Sequence, residues 1–324
     1  MSAKVCVTGG TGFIGRELVA RLLSQGYTVV VPTRAQKNLH QSNGRLQYVE
    51  IDLSDVTVDL TACITGCEIV INCAGEIHNT AQMQGLHVHA TQRLLDAFVT
   101  HLKSHGRKGR WVQLSSVGAY GPARPAHAIR VVTEDTQPAP MGDYEISKTL
   151  ADELVKRVVE QNSDVLTYSI LRPSNVCGPR MPNNALRAWA RAIQKGVFFF
   201  VGPKDSVSTY VHVKDVADAL AICASHQNAT NQIFNLSNDC QQIDLVGALA
   251  KAVGAHCPRL RAPEWLARGV AKLLNCYQRF PLKESRVDSL VARTSYPCDK
   301  LRKHLDFTPQ RNIPAAIKDI IKSA

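Results

Sequence analysis

The chain has 324 residues, 45% of them hydrophobic and 20% charged, with no low-complexity segment, so it reads as a folded globular protein of two domains or of one large α/β domain with an appendage. Its net charge of +11 admits nucleic acid, an anionic membrane or anionic small molecules as partners; the basic residues are spread along the chain without a dense run or a nucleic-acid motif, which excludes nucleic acid and favours acidic cofactors and a phosphorylated substrate. No stretch reaches the roughly 18 uninterrupted apolar residues of a spanning helix, and Met1-Ser2-Ala3-Lys4 leads into an apolar run without a signal-peptide pattern, so a cytoplasmic location is expected.

Lys4 to Thr8 reads as a buried strand, followed by a glycine-rich turn, Gly9 to Gly15, and a helix over 16–25 that Gly26 stops. Apolar and β-branched runs predict further strands at 28–31, 46–51, 68–72, 111–115 and 165–171. Helical period predicts helices at 82–103 and 143–161. Strands alternating with helices predict an α/β fold built on a doubly wound parallel sheet of the Rossmann type. Beyond Arg172 the pattern is punctuated by Pro173, Gly178, Pro179, Pro182, Gly196, Gly202 and Pro203, while helices at 184–195, 214–226 and 263–280 and a strand at 232–236 still stand out. The expected organisation is a dinucleotide-binding domain, 1–172, to which elements at about 210–240 return, and a smaller, mainly substrate-binding region, 173–324.

The ten cysteines are scattered, and Cys6, Cys73, Cys177 and Cys223 sit in apolar contexts, as reduced thiols used for packing do. Cys63 and Cys67 lack a second pair at zinc-site spacing, and His87 and His89 read as solvated or packed, so no metal is expected.

Gly9-x-x-Gly12-x-x-Gly15 stands between a strand and a helix. Such a turn lets the backbone approach a pyrophosphate, and the free N–H groups of the helix start, here with Phe13 and Ile14, bind the anion. The second strand ends Val31-Pro32-Thr33-Arg34, without the acidic residue that binds ribose hydroxyls. Arg34 can pair with a 2′-phosphate through its planar fork, so NADP is favoured and NAD is the alternative. Asp52 and Leu53 are placed to meet the adenine edge, and Asn72-Cys73-Ala74-Gly75, at the end of the fourth strand, lets the dinucleotide pass closely.

Tyr144 and Lys148 are spaced i, i+4 in a helical pattern and so share one face. A free phenol titrates near pH ~10, and the Lys148 ammonium is expected to lower that value and to hold the nicotinamide ribose. Ser116 ends the fifth strand, at the edge where ligands bind in such sheets, and its hydroxyl can steady a reacting oxygen. With the glycine turn, the three point to hydride and proton transfer at a carbinol or ketone carbon.

The motifs Thr8 to Gly15, Ser115 to Gly121, Tyr144 to Lys148, Leu171 to Pro179 and Tyr210 to Asp215 resemble, in order and over about two-thirds of the chain, the extended short-chain dehydrogenases/reductases of the nucleotide-sugar epimerase/dehydratase group. The resemblance implies a nucleotide-linked sugar as substrate. It implies Tyr144 as acid–base, Lys148 as its partner on the ribose, and Ser116 as the group that orients the substrate oxygen. Asn175 would sit near the substrate phosphates, and the 183–187 segment, with Asn184 and Arg187, would line the nucleotide end. A homodimer through helices at 91–103 and 149–161 is also implied.

Three positions depart from that pattern. Val117 and Gly118 stand where dehydratases of the group carry an Asp-Glu pair, which speaks against elimination of water. Ser208-Thr209 replaces an Arg that clamps a diphosphate, with Arg180, Arg187, Arg286 and Arg293 as possible substitutes. His87 to Thr91, His-Val-His-Ala-Thr, replaces an Asn-Val-x-Gly-Thr helix start and alters a supporting hydrogen bond. A C4 epimerase that retains its cofactor and a 4-keto reductase both fit; a hydroxysteroid- or flavonoid-type dehydrogenase and a non-catalytic cofactor sensor are alternatives, the last opposed by the intact Ser–Tyr–Lys set. Residues 261–280, with Arg261, Trp265, Leu266, Arg268, Val270, Lys272, Leu273, Leu274, Tyr277, Arg279 and Phe280, have a basic amphipathic pattern that can lie on an anionic membrane, although closing a pocket or packing on the core is the expected use.

Overall fold

The structure, a computed structural model, describes residues 3–35, 44–273 and 284–322. Seven parallel strands, Lys4–Thr8 (β1), Thr28–Thr33 (β2), Leu46–Glu50 (β3), Ile69–Asn72 (β4), Gly109–Leu114 (β5), Leu166–Pro173 (β6) and Gln232–Leu236 (β7), form one sheet in the order β7-β6-β5-β4-β1-β2-β3. Around them stand Phe13–Ser24 (α1), Ala90–Ser104 (α2), Asp143–Gln161 (α3), Ala185–Gln194 (α4), Val213–Ser225 (α5), Gln242–Ala252 (α6), Glu264–Leu273 (α7) and Ile313–Lys322 (α8). This is the doubly wound Rossmann-type arrangement. The order reverses between β1 and β4, which opens a crevice at their C-terminal ends.

The strand period of two sorts β1 between the faces of the sheet. Val5 and Val7 join Leu18 and Leu22 of α1 and Val216 and Leu220 of α5. Cys6 points the other way, to Leu94 and Phe98 of α2, Trp111 of β5 and Leu154, Val155 and Val158 of α3. A third cluster forms beyond β6, where Leu186 and Ile193 of α4, Leu245 and Leu249 of α6 and Ile317 and Ile320 of α8 meet.

Helix α1 begins at Phe13, earlier than its apolar period suggests, because Gly12 is its N-cap. The single helix expected at 82–103 is divided into Thr80–Gln84, a π-helical turn at Gly85–His89, and α2. An inserted residue of this kind leaves the hydrophobic period nearly intact and so is not visible in it. The helix expected over 263–280 is α7 as far as Leu273, and 274–280, with Leu274, Tyr277, Arg279 and Phe280, lie outside the described residues. Its Ala267 and Ala271 are buried, while Trp265, Leu266 and Leu273 are exposed. Arg268 pairs with Glu264 and Asp288, and Arg261 stacks over the Phe200 ring. Among the described residues no helix is long and apolar enough to cross a membrane.

Among the described residues one ion pair is buried on both sides: Arg172 of β6 and Asp152 of α3, side chains 2% and 0% exposed, meet at 2.9 Å. Removing one member leaves an uncompensated buried charge. Arg172→Leu is therefore expected to lower unfolding stability by about 3–5 kcal/mol in urea denaturation, and replacing both members with apolar residues to restore most of the loss.

Candidate active site

The turn after β1 is a seat built from backbone. Gly12 N donates to Gly9 O at 2.9 Å. Gly9 has φ +63°, and a Cβ there would stand 2.7 Å from Cys73 O; a Cβ on Gly15 would stand 2.1 Å from Gly9 O. No side chain caps the start of α1 and no acidic residue lies in its first turn, so its N-terminal N–H groups are disposed toward an anion. Phe13 packs on the cluster of α4, α6 and α8, and Ile14 on that of α1 and α5, so these two side chains form walls.

Across the crevice, buried polar side chains set the end of β4. Thr8 Oγ1 donates to Asn72 Oδ1 at 2.6 Å and accepts from Ala74 N at 3.1 Å. Asn72 Nδ2 donates to Thr91 Oγ1 and Gln113 Oε1. These bonds tie β1, β4, β5 and α2 together and shape the turn of Cys73, Ala74 and Gly75 beside the glycine seat.

At the end of β5 the two serines part. Ser115 is buried and donates to Asp152 Oδ2 at 2.8 Å. Ser116 is half-buried, and its Oγ accepts from Gly118 N at 3.1 Å, capping the short helical turn Val117–Tyr120. Gly118 lets that turn close on α3, for a Cβ there would lie 2.7 Å from Glu145 Cγ. Tyr144 and Lys148 stand in the first turns of α3, which Asp143 and Glu145 favour by their charge near its N-terminus. Lys148 is buried and its Nζ donates to Leu114 O at 2.8 Å. Gly75 completes the group: a Cβ on it would stand 3.6 Å from Lys148 Nζ.

The protonation states depart from expectation at Tyr144. Its phenol is pushed up to about 12, first by burial and then by the Glu145 and Asp152 carboxylates. Lys148 does not lower it: that ammonium is directed to Leu114 O, and its own pKa is depressed by burial against the opposing pull of Asp152. The chain as it stands therefore carries a neutral phenol.

The other expected site residues fall on separate elements. Arg34 is exposed at the end of β2. Asp52 accepts from Ser54 N and Oγ, which holds its carboxyl below the usual range, with Arg34 adding to the effect. Leu53 packs beneath α2 and α3. Asn175 is exposed and donates to Thr209 O, while Asn184 and Arg187 bond to each other at the start of α4. Arg293, a candidate for the missing clamp, is paired with Asp205. The motif reading included Thr8 and Asn72 but not their part in shaping the edge, and it passed over Gln113 and Asp152; Asp152 could have been found, since it lies one helical turn beyond Lys148 with Arg172 in the next strand.

The sequence profile of the NAD dependent epimerase/dehydratase family matches residues 5–237. The dTDP-6-deoxy-L-talose 4-dehydrogenase (NAD(P)(+)) of Kitasatospora kifunensis is 33% identical over 239 residues, 70% of this chain and 71% of the relative. The UDP-glucose 4-epimerase of Vibrio cholerae is 23% identical over 98% of this chain and 94% of its own. Among solved structures, the NAD complex of UDP-glucuronic acid 4-epimerase from Bacillus cereus superposes with a TM-score of 0.73 at 19% identity, covering 99% of this chain and 98% of that one.

At Gly15 an added methyl meets main chain that cannot turn aside. Gly15→Ala is expected to abolish saturable nicotinamide-cofactor binding in a fluorescence titration while the far-ultraviolet circular dichroism of the fold is retained.

Proposed function

The chain belongs to the NAD dependent epimerase/dehydratase family, and from that premise we propose that it transfers a hydride reversibly between a nicotinamide cofactor and C4 of a nucleotide-linked sugar, with Ser116, Tyr144 and Lys148 as the catalytic groups. The observation that carries this reading is a buried ammonium bonded to the last residue of β5, a hydroxyl two residues beyond it and a neutral phenol one turn before the ammonium on α3, at the edge where the glycine turn comes too close to the backbone for any side chain.

The seat fits the cofactor, because the atoms that a Cβ would strike at Gly9 and Gly15 are backbone and the helix start above them is uncapped. Gly9, Gly12, Phe13, Ile14 and Gly15 would hold the pyrophosphate, and Cys73, Ala74 and Gly75 would border the nicotinamide. Tyr144 and Lys148 would reach its ribose, Asp52 and Leu53 would flank the adenine, and Arg34 would meet a 2′-phosphate. Bound there, the nicotinamide gives or takes the hydride. Tyr144 delivers its proton to the sugar oxygen in reduction and recovers it in oxidation. Ser116 holds that oxygen by a hydrogen bond, and Lys148, its ammonium bonded to Leu114 O, would serve on the ribose side.

Reduction of a 4-keto sugar is the leading direction. The protonated phenol is the form that acts as an acid, Arg34 suits NADP, and the 33% identical relative is a 4-dehydrogenase. A cofactor-retaining C4 epimerase is the second reading, favoured by similarity to UDP-glucose 4-epimerase over 98% of the chain. Dehydration is disfavoured because Val117 and Gly118 carry no proton and Val117 is buried. Asn175, Asn184 and Arg187 are proposed to line the substrate side. A homodimer through α2 and α3 is proposed from Ile146 and Leu150, which stand 39% and 45% exposed on α3.

Mixing the protein with a 4-keto nucleotide sugar and NADPH separates the two mechanisms, since a reductase consumes one cofactor per product and an epimerase consumes none. Tyr144→Phe is expected to lower kcat/KM by about a hundred- to ten-thousandfold; full turnover in that variant would overturn the reading. Arg34→Ala is expected to raise KM for NADPH and leave KM for NADH unchanged. Because the raised phenol pKa makes phenolate the minor form at neutrality, kcat/KM for alcohol oxidation is expected to climb as pH rises from 7, while kcat/KM for reduction stays level over the same range.

A further inference from the structure

His87 lies in the π-helical turn before α2 and is 2% exposed. Its Nε2 accepts from Glu76 N at 2.9 Å. An imidazole nitrogen that accepts bears no proton, so in a neutral ring the hydrogen is on Nδ1. That Nδ1–H faces Ser147 Oγ at 2.8 Å, and the Ser147 hydroxyl donates in turn to Tyr144 O at 3.1 Å. The ring also stands edge-on to the Tyr144 ring, with centroids 5.7 Å apart and planes at 83°. The imidazole thus bridges the loop after β4 and the first turn of α3.

Its surroundings keep it neutral. Burial first, and the Lys148 ammonium second, push its pKa down to about 3, against a weaker upward pull from Glu76. The loop it holds is braced from the other side as well, for Glu76 Oε1 accepts from the backbone N–H of Ile77, His78 and Asn79. A Cβ on Gly75 would stand 3.2 Å from His87 Nε2 and 3.6 Å from Lys148 Nζ, so the loop backbone runs close to both.

We propose that His87 is a positioning residue for the reaction, a neutral Nδ1–H imidazole that fixes the Gly75–Glu76 backbone and the Tyr144 phenol at one separation. This rests on the reading of Tyr144 as the proton donor. A shift of about 1 Å in such a pair is enough to cost on the order of a hundredfold in rate.

Two measurements test it. In the holoprotein labelled with 15N-histidine, the His87 ring is expected to show a protonated Nδ1 and a bare Nε2 from about pH 5 to 8. An Nε2–H tautomer, or titration near the ordinary histidine value, would overturn the inference, and this readout does not depend on which sugar is turned over. His87→Phe keeps a ring but neither hydrogen bond, and is expected to lower kcat about a hundredfold with little change in sugar KM. His87→Gln, whose amide has both an acceptor and a donor, is expected to recover at least about tenfold of that loss. Wild-type kcat in His87→Phe, or a glutamine variant no better than the phenylalanine one, would sink the inference. Should His87→Phe fail to fold, the tautomer and the glutamine variant decide. An active Tyr144→Phe enzyme would instead remove the parent reading, whereas a dead Tyr144→Phe beside a fully active His87→Phe would remove only this one.

Discussion

Burying an ammonium in a protein interior is costly unless its charge is matched, and Lys148 is buried where α3 crosses the end of β5. Leu114 O accepts from Nζ, and the Asp152 carboxylate, one helical turn away and itself held by Arg172 and Ser115, favours the charge from a distance. Arg172 takes the ion pair with Asp152, and Lys148 feels that carboxylate only at longer range. The same bonds lock α3 to β5 and β6, so the helix that carries Tyr144 cannot move relative to the strand that leads into Ser116 without breaking them. Position and electrostatics at the site have one origin.

The second constraint is topological. Reversal of strand order between β1 and β4 separates the helices that follow them and leaves a gap over both strand ends. The glycine turn fills one wall of it and the Cys73–Gly75 turn the other, nearly in contact: Gly9 comes so close to Cys73 O that only hydrogen fits between. The Thr8–Asn72–Gln113 bonds hold the walls at that spacing. Any ligand in the gap has to be thin where it passes Gly9 and Gly15, as a pyrophosphate is.

Most of the sheet was legible from the chain alone, because β2 and β4 carry apolar runs and α3 has a clear helical period from 143 to 161. What escaped depends on partners distant in sequence. The short strand Asn175–Cys177 exists through pairing with Tyr210–His212, and no local pattern announces it. His87, read as solvated or packed, is packed but also bonded on both ring nitrogens, to Glu76 and Ser147, 11 and 60 residues away. The glycine, serine, tyrosine and lysine motifs all fall toward the C-terminal edge of the sheet. The titration of Tyr144 was misjudged, since spacing puts Lys148 on the same helix face without revealing that its ammonium is turned toward Leu114 O or that burial outweighs it.

That misjudgment bears on direction. A phenol held up by its own burial is an acid at rest and becomes a base only when added positive charge favours the phenolate. Excluding water from the crevice disfavours the phenolate further, and Lys148, bonded to Leu114 O, does not offset that effect. Oxidation of an alcohol on this scaffold therefore needs added positive charge at the phenol, whereas reduction of a ketone uses the phenol in the form that burial maintains. On the proposed chemistry the protein is therefore biased toward donating a proton, and the oxidised nicotinamide, with its own positive charge, is the state in which that bias is most easily reversed.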